Sequence, residues 1–200
     1  MKFNSLQKYS LLCVSILLLW ACSDGPKKKT SAGSTFSEMS IYHLPAVWET
    51  HEGTSIALSD LKGKILVITM IYTSCQAACP RLVADMKAIK KALDPPDWSR
   101  TRFIFVSIDP QTDTPEQLYK FAAQNDLLDA PWLFLRGYVA QTRTFSNILA
   151  VKYKQISPID FSHSNIISVF NSQGVLTHQK EGLSIDQKGT VEALNKLLRP

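Results

Sequence analysis

The sequence predicts an α/β domain built on a mixed central sheet, and three observations lead there. Residues 65–71 (ILVITMI) and 102–108 (RFIFVSI) are short apolar runs rich in β-branched side chains, the composition of strands covered on both faces. Between them Leu82, Val83, Met86, Ile89 and Leu93 recur at helical spacing and stop at Asp94-Pro95-Pro96, which cannot continue a helix. Further along, Asn171-Ser172-Gln173-Gly174 is a turn-rich tetrad between two apolar runs, the pattern of a hairpin.

Taken in order, the first run is a strand, the periodic segment a crossover helix and the second run a parallel partner, joined with right-handed connectivity. Thr114-Pro115-Glu116-Gln117 supplies a cap, a proline at the first helical position and Gln three residues after the cap, so a second helix starts there and reaches about residue 125. Residues 132–135 form a third strand, and 139 to about 150 a weaker helix with Phe145 and Leu149 on one face. Strands at 166–170 and 175–178 flank the tetrad, and Val191, Leu194 and Leu198 mark a closing helix. A turn at Glu52-Gly53 places an N-terminal β-hairpin extension ahead of the first buried strand. Alternating strands and helices, then a hairpin and a last helix, is the order of a thioredoxin-like fold with helices flanking the sheet.

The chain is 45% hydrophobic and 20% charged, which suits one domain with a real core. Its formal charge of +5 overstates its basic character, because Lys2 and Lys8 lie in a targeting segment and Lys27, Lys28 and Lys29 in a linker. That excludes a nucleic-acid footprint. Lys2 and Lys8 precede an apolar run at 11–21 that is short for a bilayer span and ends in Leu19-Trp20-Ala21-Cys22, the pattern of a bacterial lipobox. Residues 1–21 therefore read as a lipoprotein-type signal peptide and Cys22 as the lipidated residue, with an uncleaved anchor or a soluble secreted product as alternatives. The expected location is exported and membrane-anchored, facing the periplasm or the cell exterior. Residues 22–40 carry few large apolar side chains and read as a flexible tether, leaving residues 41–200 as the folded domain.

With Cys13 in the signal and Cys22 the lipid site, Cys75 and Cys79 remain. They lie where the first buried strand hands over to the first helix, at the carboxyl edge of the sheet where ligand sites concentrate. Pro80 puts them on the loop or first turn, where free amides and the helix dipole favour thiolate. Curled into one turn, residues four apart clamp a soft ion such as copper(I), and copper(II) calls for a further donor such as imidazole. An exported pair could equally oxidise to a disulfide. Of the four histidines, His43 and His51 flank the start of the domain and His178 ends a strand; all three read as surface or satisfied residues. His163 sits in a loop just before the hairpin that a thioredoxin-like topology packs against the cysteine loop. By residue type alone a lone loop histidine is more often structural than a ligand. Asp109 and Asp113 read as turn and helix-start residues.

Four motifs occur in order: Leu61-Lys62-Gly63-Lys64; Tyr72-Thr73-Ser74-Cys75 with Cys79-Pro80; Ser107-Ile108-Asp109-Pro110 with Asp113-Thr114-Pro115-Glu116; and Asp160-Phe161-Ser162-His163-Ser164. On these the chain, over roughly residues 41–198, resembles the Sco/SenC proteins, thioredoxin-like copper proteins of cytochrome oxidase assembly. The resemblance implies that Cys75, Cys79 and His163 bind one copper ion, Cu(I) or Cu(II). It also implies an upstream copper donor and, as client, the copper-site subunit of a respiratory oxidase or another copper enzyme. Gln76 stands where the family often has proline, and the segment before His163 looks short, which bears on partner recognition.

The expected function is a metallochaperone rather than an enzyme, delivering copper to the binuclear site of cytochrome c oxidase or a similar enzyme. The alternative is a thiol-disulfide oxidoreductase in which the redox-active pair Cys75 and Cys79 reduces the client's copper-ligand cysteines. Its motif is CxxxC rather than CxxC, with Ser162-His163 where such reductases usually carry a cis-proline. A peroxide-reducing or redox-sensing relative would share the fold, but no peroxidase-type motif surrounds Cys75.

Overall fold

The computed structural model describes residues 37–93, 98–183 and 186–199. The expected signal peptide, Cys22 and most of the tether lie outside the described residues. Among those described, no helix is long and apolar enough to cross a membrane.

The apolar run at the centre becomes strand β3 (Ile65–Ile71), buried at every position. Helix α1 (Cys79–Ala92) returns the chain to β4 (Thr101–Ser107), which pairs with β3 in parallel from Ile65 opposite Thr101 to Ile71 opposite Ser107. Helix α2 (Pro115–Gln124) then leads to β5 (Trp132–Arg136), parallel to β4. Thr114 caps α2 by accepting the Gln117 amide at 3.3 Å, and the fixed φ of Pro115 suits the first turn, as the sequence predicts. After α3 (Val139–Ile148) the chain reaches β8 (Ile166–Phe170), antiparallel to β3, then β9 (Leu176–Glu181) and α4 (Lys188–Leu198).

Two elements extend this frame. The N-terminal hairpin, β1 (Val47–Thr50) and β2 (Ser55–Ala57), joins the main sheet, because β1 pairs antiparallel with β5. The seven strands run β2-β1-β5-β4-β3-β8-β9. A second, two-stranded sheet pairs β6 (Tyr153–Ser157) with β7 (Asp160–His163), in the segment the sequence assigns to a loop. Its side chains are largely exposed, so no apolar pattern marks it.

Burial accounts for the order. Central β3 and β8 are buried throughout, whereas edge strand β9 (LTHQKE) is mostly exposed and carries the charges that deter edge pairing. Phe105 stacks on Phe134 at 4.8 Å, and Trp48 on β1 meets Phe145 on α3 edge-on at 5.2 Å. Such pairs add to the area they bury. His51 departs from its expected surface position: it is 5% exposed, lying against Phe134 and Tyr119. Burial lowers its pKa from the ordinary value.

The folded body starts at Ser40, which bridges Val175, while Ile41 donates its amide to the Gly174 carbonyl at 2.9 Å. Gly174 has φ +72, and a Cβ there would come within 2.7 Å of Ser40 Oγ and 2.8 Å of the Tyr42 ring. Gly53 has φ +75 with open space around it. Gly174→Ala is therefore expected to lower stability by about 2–4 kcal/mol, combining left-handed backbone strain with overpacking, and Gly53→Ala by only about 1–2 kcal/mol. Denaturant unfolding of the two variants checks this, and equal losses would contradict it.

Candidate metal centre

At the carboxyl end of β3 the chain turns through Thr73 and Ser74. The Cys75 amide donates to the Tyr72 carbonyl at 3.3 Å, and Cys79 opens α1 with Pro80 second. Proline is tolerated there because the first helical amides have no intrahelical acceptor. One of those amides, Cys79 N–H, donates to Cys75 Sγ at 3.3 Å. Both cysteines are reduced and buried, Cys75 in the loop and Cys79 as the first helical residue.

Asp113, 1% exposed, supports this turn from below. Its carboxylate accepts the Thr73 amide at 3.1 Å, the Thr73 hydroxyl at 2.5 Å and the Ser107 hydroxyl at 2.5 Å. Burial raises its pKa against the opposing effect of those bonds. The sequence assigns Asp113 only a role at a helix start; its partner lies 40 residues away, and no local pattern announces such a contact.

The third side chain arrives on β7. Tyr153 and His163 are register partners, so the histidine sits on a strand of the small sheet and not in a loop. Its Nδ1 lies 3.1 Å from the Ser164 carbonyl; the tautomer assigned from that contact has Nδ1–H donating and leaves the Nε2 lone pair free, 4.0 Å from Cys79 Sγ. A metal-ligating histidine is usually oriented in this way, by a hydrogen bond from its other ring nitrogen.

What brings β7 to the cysteine loop is a set of contacts that sequence reasoning missed. The Tyr72 hydroxyl donates to the Asp160 carboxylate, the Phe161 amide donates to the Tyr72 hydroxyl oxygen at 3.3 Å, and the Ser74 hydroxyl donates to the Ile159 carbonyl at 3.1 Å. The Tyr72 ring packs on Phe161 at 5.2 Å and edge-on to His163 at 5.8 Å.

One ligand atom from each of Cys75, Cys79 and His163 lies within 4.8 Å of the others. Metal–sulfur bonds of about 2.3 Å and metal–nitrogen bonds of about 2.0 Å place donors roughly 3.5–4 Å apart, so small side-chain adjustments let this set close on one ion. Asp109 and Asp113 stand outside the cluster. His178 contacts Thr190 at 3.1 Å and His43 the Ser37 carbonyl at 2.9 Å, and His51 lies in the core, so none of them joins it.

The two thiols differ. The Cys79 side chain as donor, then the backbone amides of Cys79 and Ala77, hold Cys75 well below its ordinary 9.0, at about 4. The Cys75 thiolate and burial push Cys79 upward. One proton shared by two sulfurs accounts for both directions. The reduced metal-free protein is thus expected to show one thiolate in the ultraviolet at neutral pH, lost as pH falls through about 4 and absent in Cys75→Ser. A single step near the ordinary thiol value would contradict the asymmetry.

The SCO1/SenC family profile matches residues 47–199. A SCO1 protein homolog of Bacillus subtilis (strain 168) is 31% identical over 128 residues, 64% of this chain and 62% of the relative, so the chain spans less than two thirds of that relative's length. Among solved structures, a SCO1/SenC family lipoprotein from Bacillus anthracis superposes with a TM-score of 0.67 at 23% identity, covering 76% of this chain and 92% of that one. Arabidopsis thaliana ScoI with copper bound superposes with a TM-score of 0.63 at 17% identity, covering 76% of this chain and 96% of that one. These two share its fold. With the profile spanning most of the described domain and the fold in agreement, the chain belongs to the SCO1/SenC family.

Proposed function

We propose that the domain is a copper metallochaperone that carries one ion between Cys75, Cys79 and His163 and passes it by ligand exchange to a respiratory copper enzyme. The convergence of two sulfurs and an oriented imidazole carries this reading. The copper bound in the Arabidopsis thaliana relative supports it. Copper is cargo here, so the site must bind it and also release it. Two thiolates suit Cu(I), and the imidazole supplies the harder donor that Cu(II) needs. Cys75 is already ionised, so loading displaces chiefly the Cys79 proton. Cytochrome c oxidase, through its binuclear copper site, is the client that the family resemblance favours.

The unequal thiols also favour a second reading as a reductase. The Cys75 thiolate would attack a client disulfide, form a mixed disulfide and release a client thiolate. Cys79, after losing its proton, would then attack Cys75 Sγ and free the second client thiol. Against this as the main role, Cys75 is only 7% exposed and Cys79 fully buried.

In a chain with Cys13 and Cys22 replaced by serine, reduced protein is expected to bind one Cu(I) or one Cu(II). Since even outer hydrogen-bond partners are worth about 10–100-fold in metal affinity, loss of either Cys75 or Cys79 should cost at least ~100-fold. His163→Ala should abolish or strongly alter the sulfur-to-copper charge-transfer band of the Cu(II) form. An unchanged band and affinity in His163→Ala would remove His163 from the ligand set. Efficient disulfide turnover without stoichiometric copper would favour the reductase.

The same proposal places the domain outside the cell membrane on a lipid at Cys22, with residues 1–21 removed and 22–40 as tether, in keeping with the Bacillus anthracis lipoprotein relative. Cys22→Ser is expected to release the protein from membranes in cell fractionation. Retention as an integral membrane protein would show an uncleaved anchor instead.

A further inference from the structure

The β6–β7 sheet has two unlike faces. Tyr153, Phe161 and His163 make the ring contacts that face Tyr72 and one another. Strand alternation sends Lys154 and Ser162, a register pair, to the opposite face, and both are exposed. Lys152, exposed as well, precedes β6, and Arg143 on α3 lies over the Tyr153 ring at 4.0 Å.

Two adjoining concavities of about 400 and 290 Å³ share Lys152 and Tyr153. The first also takes in Arg143 and Asn147, the second Lys154 and His163. No carboxylate lines either, and none pairs with Arg143, Lys152 or Lys154 among the described residues. Asp160, the acid of the hairpin, is held by the Tyr72 hydroxyl at its other end. At that end Ile156 and Ile159 are 61% and 73% exposed.

We propose that this cationic groove docks an acidic polypeptide segment, carried by the protein that exchanges copper with the centre. The identity of that partner rests on the metallochaperone reading; the groove's chemistry does not. Three cations without acidic neighbours call for an occupant of opposite charge. The chain's own tether, with Lys27, Lys28 and Lys29, has the wrong sign, and a second copy would present the same cations. An occupant lying along the groove reaches His163 at one end, so its own ligands arrive beside the metal. The exposed isoleucines add apolar contact, and the charges set approach and orientation.

A polypeptide is favoured over a lipid surface by where the chain enters the domain. Ser40 bridges Val175 beside the β8–β9 turn, and Gly63, just before β3, donates to Ser172 in that turn. The tether therefore meets the domain at the amino edge of the sheet, while the hairpin and groove sit with the cysteine loop at the carboxyl edge. Ser40, where the described chain enters the domain, and the groove thus lie at opposite edges of the sheet.

The test measures binding of a short fluorescent peptide of alternating glutamate and leucine to the reduced full chain. The Lys152→Glu/Lys154→Glu double variant is expected to weaken it by about tenfold, and Lys152→Gln/Lys154→Gln by a smaller factor, both effects shrinking as salt rises. Lys91→Glu/Lys196→Glu, exposed at the far ends of α1 and α4, should change it by less than about twofold. Equal weakening in the two glutamate variants would show diffuse net charge and overturn the groove. So would vesicles containing phosphatidylglycerol that bind through Lys152 and Lys154 while the peptide does not. Copper stoichiometry, measured in parallel, is expected to be unchanged in every variant. A wild-type chain that binds the peptide through these lysines but takes up no copper would refute the metal reading and leave the groove standing.

Discussion

The candidate metal centre depends on a tie between two segments that share no sheet: the Tyr72 hydroxyl at the end of β3 and the Asp160 carboxylate at the start of β7, 88 residues later. The small β6–β7 sheet has no backbone ladder to the main one. Its position relative to the cysteines is set by that bond, by the bond from Ser74 to Ile159, and by the packing of Phe161 on Tyr72. A charge-assisted hydrogen bond is roughly twice as strong as a neutral one, and here it orders a hairpin that buries little apolar surface. Tyr72 thus serves two ends at once, leading into the cysteine loop and lying edge-on to the imidazole.

Beneath the same loop, Asp113 fixes Thr73 through both its amide and its hydroxyl. A buried carboxylate is costly, which is why burial raises its pKa, and the three donors around it offset that cost. The cysteine turn is therefore held from below by Asp113 and from the side by Asp160. Between those supports, the first amide of α1 stabilises negative charge on Cys75. These contacts favour the thiolate at Cys75 and the thiol at Cys79.

The parts of the fold legible in the sequence are those whose pattern is local. β3 and β8 read as strands because they are short, largely apolar runs buried on both faces, and α2 announces itself through Thr114 and Pro115. The β6–β7 hairpin reads as a loop in the sequence because its side chains are mostly solvated and it joins no apolar layer. Residue type alone points His51 to the surface; the packing of Phe134 and Tyr119 around it is a long-range outcome. The N-terminal hairpin was legible as a hairpin, yet only its pairing with β5 makes it part of the main sheet.

By itself the sequence determined the order of strands and helices, the placement of Cys75 and Cys79 on the loop and first turn that open α1, and, through four short motifs, the family. Each of these rests on spacing along the chain or on residue types near one another in it. Only the tertiary structure decided that His163 faces Cys79, that Asp113 holds the turn, and that Lys152 and Lys154 line a groove with His163. Those facts follow from contacts between residues 40 to 88 positions apart, where hydrogen bonds and packing, and not periodicity, settle which side chains meet.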